Sequence, residues 1–159
     1  MYLVMSGCIK CRVEKIHSFE FIGHLRDDKT RIYYTNPSDN PPEEIIYYLH
    51  HFEDTKPHPW VWILDCSEVN TKELLNSKII KQLTDLSKTT SYDTLLHVFV
   101  INPSTTIKTL LTILNPFLLK ETRNKIHLCS LGLIDTINKL ESIGLPGTEI
   151  KSLTKKLLK

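Results

Sequence analysis

Glycine is scarce in this chain, five of 159 residues. A phosphate cradle needs clustered glycines so that the backbone N–H groups of a tight loop can close on the anion. No Gly-rich phosphate loop, nucleophile elbow or metalloprotease motif occurs, which removes the best-known nucleotide-dependent and hydrolytic signatures. An uninterrupted run of about 18 apolar residues, the length a spanning helix requires, is also missing. Met1 to Met5 is apolar but has neither the basic region nor the long apolar core of a secretory signal, so an intracellular, cytoplasmic location is expected. Neither sign of charge dominates: 20 Lys and Arg face 18 Asp and Glu, for a net charge of +2. That is too little to draw nucleic acid by bulk electrostatics, and no nucleic-acid partner is expected. The four cysteines are expected as thiols rather than bridges in an intracellular setting.

What remains is the composition of an ordinary globular domain, 41% hydrophobic and 24% charged. A single domain of this length buries roughly 68–70% of its unfolded surface and needs no metal or disulfide staple to build a core. Three stretches break the pattern by turn chemistry: Asn36 to Pro42, Thr55 to Pro59 and Gly144 to Gly147.

Periods alternate between the breaks. His17 to Gly23 and Arg31 to Thr35 suit two strands, with Arg26 to Lys29 as the turn. Pro41 to Phe52 opens with two prolines and two glutamates, as helix N-termini do, and puts Ile45, Leu49 and Phe52 on one face. Trp60 to Leu64 (WVWIL) has no polar face and suits a buried central strand. Asn70 and Glu73 fit the N-terminus of a helix running to about Ser87. Leu95 to Ile101 and Lys125 to Cys129 suit two more strands, and helices are expected over about Leu133 to Ile143 and Thr148 to Leu158. Strand and helix in alternation imply an α/β sandwich with a mostly parallel or mixed sheet.

The stretch Ile101 to Leu128 is the most informative. Ile107, Leu110, Leu111 and Leu114 are spaced as one helix face. Ser104 is a fair N-cap, and Pro116 ends the helix by pushing Asn115 out of the helical region. Phe117, Leu118 and Leu119 carry apolar surface past the helix end, and polar residues follow from Lys120 to Lys125. The helix is expected either to pack permanently on the sheet or to cover a hydrophobic cavity and move. A cavity of roughly 300 Å3 or more beneath it is the size a ligand pocket calls for.

The order of pieces resembles the CRAL-TRIO family of lipid-binding and lipid-transfer domains. Val98 to Pro103 (VFVINP), Asn115 to Leu118 (NPFL) and Thr122 to Ile126 (TRNKI) carry the resemblance. Arg31 to Asn36, Trp60 to Ser67, Ser91 to Asp93 and Gly144 to Gly147 extend it over about residues 17–150. It implies a CRAL-TRIO-like (SpoIIAA-like) sandwich, with residues 1–16 as an N-terminal extension and 17–159 as the lipid-binding domain. The helix at about Thr105 to Asn115 would be a gate over an apolar pocket, with Ile107, Leu110, Leu111, Leu114, Phe117 and Leu118 as gate and pocket residues. Thr122 and Lys125 match the hydroxyl and ammonium that meet a phosphoinositide headgroup, and Asp93 matches an acidic partner. The implied partners are a phospholipid or other hydrophobic ligand and, transiently, an anionic membrane surface. No cofactor and no enzymatic activity are implied.

Three departures point to the family's divergent branch. The helical region that usually precedes the core is missing, Thr94 stands where an Arg commonly follows the acid, and no Tyr-Gly-Gly follows the Leu-Pro segment. That branch includes domains attached to small-GTPase regulators, several of them protein-interaction modules, so a lipid-free module is the alternative reading. An anti-sigma-antagonist domain, with Ser67 or Ser104 as a switch, shares the layout and has nothing else in its favour.

Other candidates are weaker. Cys8 and Cys11 form a C-x-x-C, half of a zinc site or a redox pair. No second such pair exists, so no metal is expected there. His50 and His51, with Glu53 and Asp54, are expected to be a solvated cluster rather than ligands. Cys66 could be a nucleophile with His97 or His127 as its base, but both histidines lie in strand patterns, where packing is the simpler role. Lys151 to Lys159 is basic and partly amphipathic. It suits a helix docked through Leu153 and Leu157, with lysines available to anionic headgroups at about 1 kcal/mol each.

Overall fold

In the computed structural model the described residues are 8, 11, 17–39, 48–55, 58–67, 77–88 and 94–157. Within them five strands form one sheet whose spatial order equals the chain order: β1 (Glu20–His24), β2 (Arg31–Thr35), β3 (Trp60–Asp65), β4 (Leu95–Ile101) and β5 (Ile126–Cys129). β1 and β2 are antiparallel, and all other pairs are parallel. The sheet is therefore mixed.

Six helices are described: α1 (Tyr48–Phe52), α2 (Ser77–Ser87), α3 (Thr105–Leu114), α4 (Lys120–Lys125), α5 (Leu133–Ser142) and α6 (Gly147–Leu157). Right-handed crossovers between parallel strands laid down in sequence carry every connecting helix to the same face. The core divides accordingly. On one face Trp60, Trp62, Val98 and Val100 meet Phe52 of α1, Ile80 and Leu83 of α2, and Ile107, Leu110 and Leu114 of α3. On the other, Ile32, Val61, Ile63, Phe99 and Ile101 meet Leu140, Leu145 and Leu153 from α5, α6 and the turn between them. β3 sits at the centre of the sheet and has no polar face because both of its faces are covered.

The β1–β2 turn is held by Asp27, whose carboxylate accepts from the Lys29 and Thr30 N–H groups, each at 2.9 Å, and from the Thr30 hydroxyl at 2.7 Å. β1 begins three residues later than expected and carries an irregularity between Phe21 and Gly23. Gly23 has φ +153°, and a Cβ there would lie 2.7 Å from Glu149 Cγ of α6. α6 docks as expected, with Leu153 buried, Lys156 bonded to Glu20 at 2.9 Å and its ammonium 5.1 Å from the Tyr34 ring centre.

Two expectations around α3 need correction. Asn115 is not driven out of the helical region: its φ and ψ are −49° and −45°, and its N–H still donates to the Leu111 carbonyl. Pro116 lacks an N–H, so the α pattern tightens into a 3-10 turn over Asn115–Phe117, and the chain becomes extended only at Leu118. Lys120 to Lys125, read as a polar loop before a strand opening at Lys125, is helical, and β5 starts one residue later. The segment KETRNK buries Thr122 alone, so it shows no apolar period to betray a helix. The proposed caps Asn70 and Glu73, the helix start at Pro41, and Asp93 lie outside the described residues.

Candidate functional site

α3 starts where expected. The Ser104 side chain accepts from the Ile107 N–H at 3.2 Å, with Ser104 itself extended. Just before it Asn102 adopts φ +50°, a left-handed conformation that Asn tolerates better than most residues. The Asn-Pro pair thus turns the chain out of β4 and onto the sheet's face.

An apolar cavity of about 140 Å3 lies between the sheet and α3. Trp62 and Leu64 of β3, Val98 and Val100 of β4 and Ile126 of β5 make its floor. Leu83 of α2, Leu111 and Leu114 of α3, and Leu118 and Thr122 close it. Its position is the one expected and its volume is less than half of the expected minimum, which counts against a ready-made carrier pocket. Of the expected gate and pocket residues, Leu111, Leu114 and Leu118 line it. Ile107 and Leu110 are buried in the core beside it, and Phe117 is 57% exposed. The strand residues of the floor were not singled out in the sequence, because WVWIL and LLHVFVI are apolar on both faces and do not mark which side meets α3.

The outer surface of α3 is weakly polar. The Thr109 and Thr112 hydroxyls donate back to the Thr105 and Lys108 carbonyls at 2.9 Å each, which satisfies them within the helix. Ile113, Phe117 and Leu119 are exposed around its C-terminal end. Among the described residues no helix is long and apolar enough to cross a membrane.

The expected headgroup residues separate. Thr122 is buried and lines the cavity. Lys125, one turn on, is not among the lining residues, and its charge acts on His97. His97 Nδ1 and His127 Nε2 are 2.9 Å apart on β4 and β5, against Phe99 on the opposite face of the sheet. Burial, then the neighbouring His127 and Lys125, lowers the His97 pKa, and burial followed by Lys139 lowers that of His127.

Cys66 is not a nucleophile served by these histidines. It belongs to the core on the α3 face, and burial, with Asp65 adjacent, pushes its pKa up to about 12, so the reactive thiolate is absent at neutral pH. Asp65 itself is buried and engaged by the Tyr34 and Ser67 hydroxyls, each at 2.8 Å. None of the four cysteines is in a disulfide.

The chain brings together one cluster that sequence inspection kept apart. Cys8, Cys11, His17 and His51 place their sulfur and nitrogen atoms within 4.8 Å of one another. The remaining two groups are single histidines outside any C-x-x-C, His17 just before β1 and His51 in α1; His51, expected to be solvated beside His50, is buried instead.

Comparison with known proteins places these features in a family. Among curated proteins none matches the sequence. Among solved structures, the crystal structure of Sfh5 superposes with a TM-score of 0.55 at 10% identity, over 79% of this chain and 52% of that one. The likeness is one of fold, and the chain spans about half of Sfh5. The CRAL/TRIO domain family matches residues 36–140, which takes in β3, β4, β5 and the whole cavity floor. With its mixed sheet, its Asn-Pro strand end and an apolar cavity under the following helix, the chain belongs to the CRAL/TRIO family of lipid-binding and lipid-transfer domains.

Proposed function

We propose that the chain binds a lipid or another hydrophobic ligand in the cavity beneath α3, with α3 and the turn to Leu119 as a movable cover. The observation that carries this is the wall of the cavity, apolar on every element except for the Thr122 hydroxyl. Ligand pockets usually measure about 300–1,000 Å3, so entry requires α3 to swing outward. Its threonine-rich outer face and the exposed Ile113, Phe117 and Leu119 suit contact with a membrane surface at that moment; Lys151 and Lys155, both exposed, lie on α6 across the sheet and would serve a separate contact with anionic headgroups. A phosphoinositide is the finer reading: Thr122 would donate to phosphate at the cavity and Lys125 would supply charge near it, with Asp93 as the acidic partner. Binding, release and shielding of acyl chains break no bond, and burial at roughly 25 cal/mol per Å2 supplies the driving force.

The small volume favours a second reading, in which α3 is packed shut and the domain is a lipid-free interaction module with a protein partner. Native mass spectrometry with lipid extraction separates the two, on the purified protein and again after incubation with mixed phosphatidylinositol–phosphatidylcholine vesicles. One lipid per chain is expected. A protein that emerges lipid-free from both conditions overturns the carrier reading and leaves the module.

A further inference from the structure

The Cys8, Cys11, His17 and His51 cluster stands apart from the cavity and is used by neither reading above. Cys8 Sγ is 3.4 Å and Cys11 Sγ 3.2 Å from His17 Nδ1. His51 Nε2 is 3.4 Å from Cys11 Sγ and 3.1 Å from His17 Nδ1. A ring nitrogen has one in-plane site, either a lone pair or an N–H. His17 Nδ1 cannot serve three hydrogen bonds at once, yet three donor atoms converge on it. A hydrogen-bonded thiol–imidazole cluster therefore does not explain the arrangement. An ion at the centre does: bonds of about 2.0–2.1 Å to nitrogen and about 2.3 Å to sulfur set ligand atoms about 3.3–3.8 Å apart in a tetrahedron.

We propose that Cys8, Cys11, His17 and His51 form a structural zinc site. Two thiolates and two imidazoles in tetrahedral array are the donor set that selects zinc. Four protein ligands leave no position for water or substrate, so the site is structural rather than catalytic. Cys8, His17 and His51 are buried, with 0%, 3% and 4% exposure, as a closed site requires. The ion would fasten the segment before β1 to α1, two pieces separated by 34 positions between His17 and His51. It would also brace the aromatic cluster, because His51 packs on Phe19 and Tyr48, and Tyr48 on the cavity wall residue Trp62. Cys8 and Cys11 would then be fastened to the domain through His17 and His51.

The test uses the full chain, reduced and purified without chelator. Elemental analysis should find one zinc per chain, and chelation should lower Tm. Cobalt(II) added to the stripped protein should give tetrahedral d–d bands and a thiolate-to-cobalt charge-transfer band. Cys11→Ser and His51→Ala should lose stoichiometric zinc, whereas Cys66→Ser and Cys129→Ser, outside the cluster, should keep it. If the ligand variants fail to fold, cobalt titration of the stripped wild type decides alone. A metal-free protein whose reduced form gives no tetrahedral cobalt spectrum overturns the proposal. So does retention of zinc by folded Cys11→Ser, or a Cys8–Cys11 disulfide in fresh, metal-free protein.

Discussion

The indole Nε1 of Trp62 donates to the Thr35 hydroxyl at 2.8 Å, and both groups are buried. This bond ties the floor of the cavity to the end of β2. Thr35→Val keeps the shape and removes the acceptor, leaving a buried N–H without this partner. A loss of about 1–3 kcal/mol is expected. Urea unfolding checks it: the midpoint should fall while the slope stays unchanged, and an unmoved midpoint would mean that the ring is held by packing alone.

The headgroup reading turns on Lys125. A charge-assisted hydrogen bond contributes about 1.5–3 kcal/mol, so Lys125→Ala should weaken phosphoinositide binding roughly 10- to 100-fold. Phosphatidylcholine binding should change little. Liposome binding measures both. Because the Lys125 charge helps to depress the His97 pKa, the same variant should raise it, which an NMR titration of the ring checks. An upward shift at His97 with unchanged phosphoinositide affinity would place Lys125 with the histidine pair and outside the ligand site.

That pair gives the domain an acid sensitivity of known sign. Both His97 and His127 have folded-state pKa values below the ordinary one, chiefly through burial. The unfolded chain, with histidines near about 6.5, then binds more protons at mildly acid pH. The contribution is fully present above that value and is lost as pH falls through it toward the folded pKa values. Tm should drop between pH 7.5 and 5, and His127→Phe, which retains a ring against Phe99, should flatten the drop. An equal slope in wild type and variant would assign the acid sensitivity elsewhere.

Gly23 is where β1 passes under α6. A side chain there meets both an unfavourable φ and Glu149 Cγ. Gly23→Ala should cost about 1–3 kcal/mol, read as a fall in Tm. Pairing it with Glu149→Ala should recover only the steric part.

Most of the fold was legible because its strongest signals are local. Arg31–Thr35 and Leu95–Ile101 are strands with the expected ends, since both are short apolar runs bounded by turn residues. Ser104 caps α3 because hydroxyl, helix start and apolar period coincide within a few positions. α4 was illegible because a one-turn helix that buries a single threonine has no period to display. The cavity's place followed from family resemblance, but its volume did not, because the gap left between α3 and β3–β5 depends on how closely Leu111, Leu114 and Leu118 approach Val98 and Val100. The Cys–His cluster escaped for a different reason. Its four members come from the chain before β1 and from α1, and only the folded sheet brings them together.

The identity of strand order with chain order has a consequence during synthesis. Among the described residues the helices after β2, β3 and β4 all settle on one face, and the helices that cover the opposite face emerge only with residues 133–157. At ordinary elongation rates that interval lasts about 1–5 s. Throughout it Ile32, Val61, Ile63, Phe99 and Ile101, all buried in the finished domain, form an uncovered apolar strip on a nascent chain whose other face can already be packed. A ribosome stalled within α5 would hold a half-covered sheet, and chaperone demand should be concentrated in that window rather than spread along the chain.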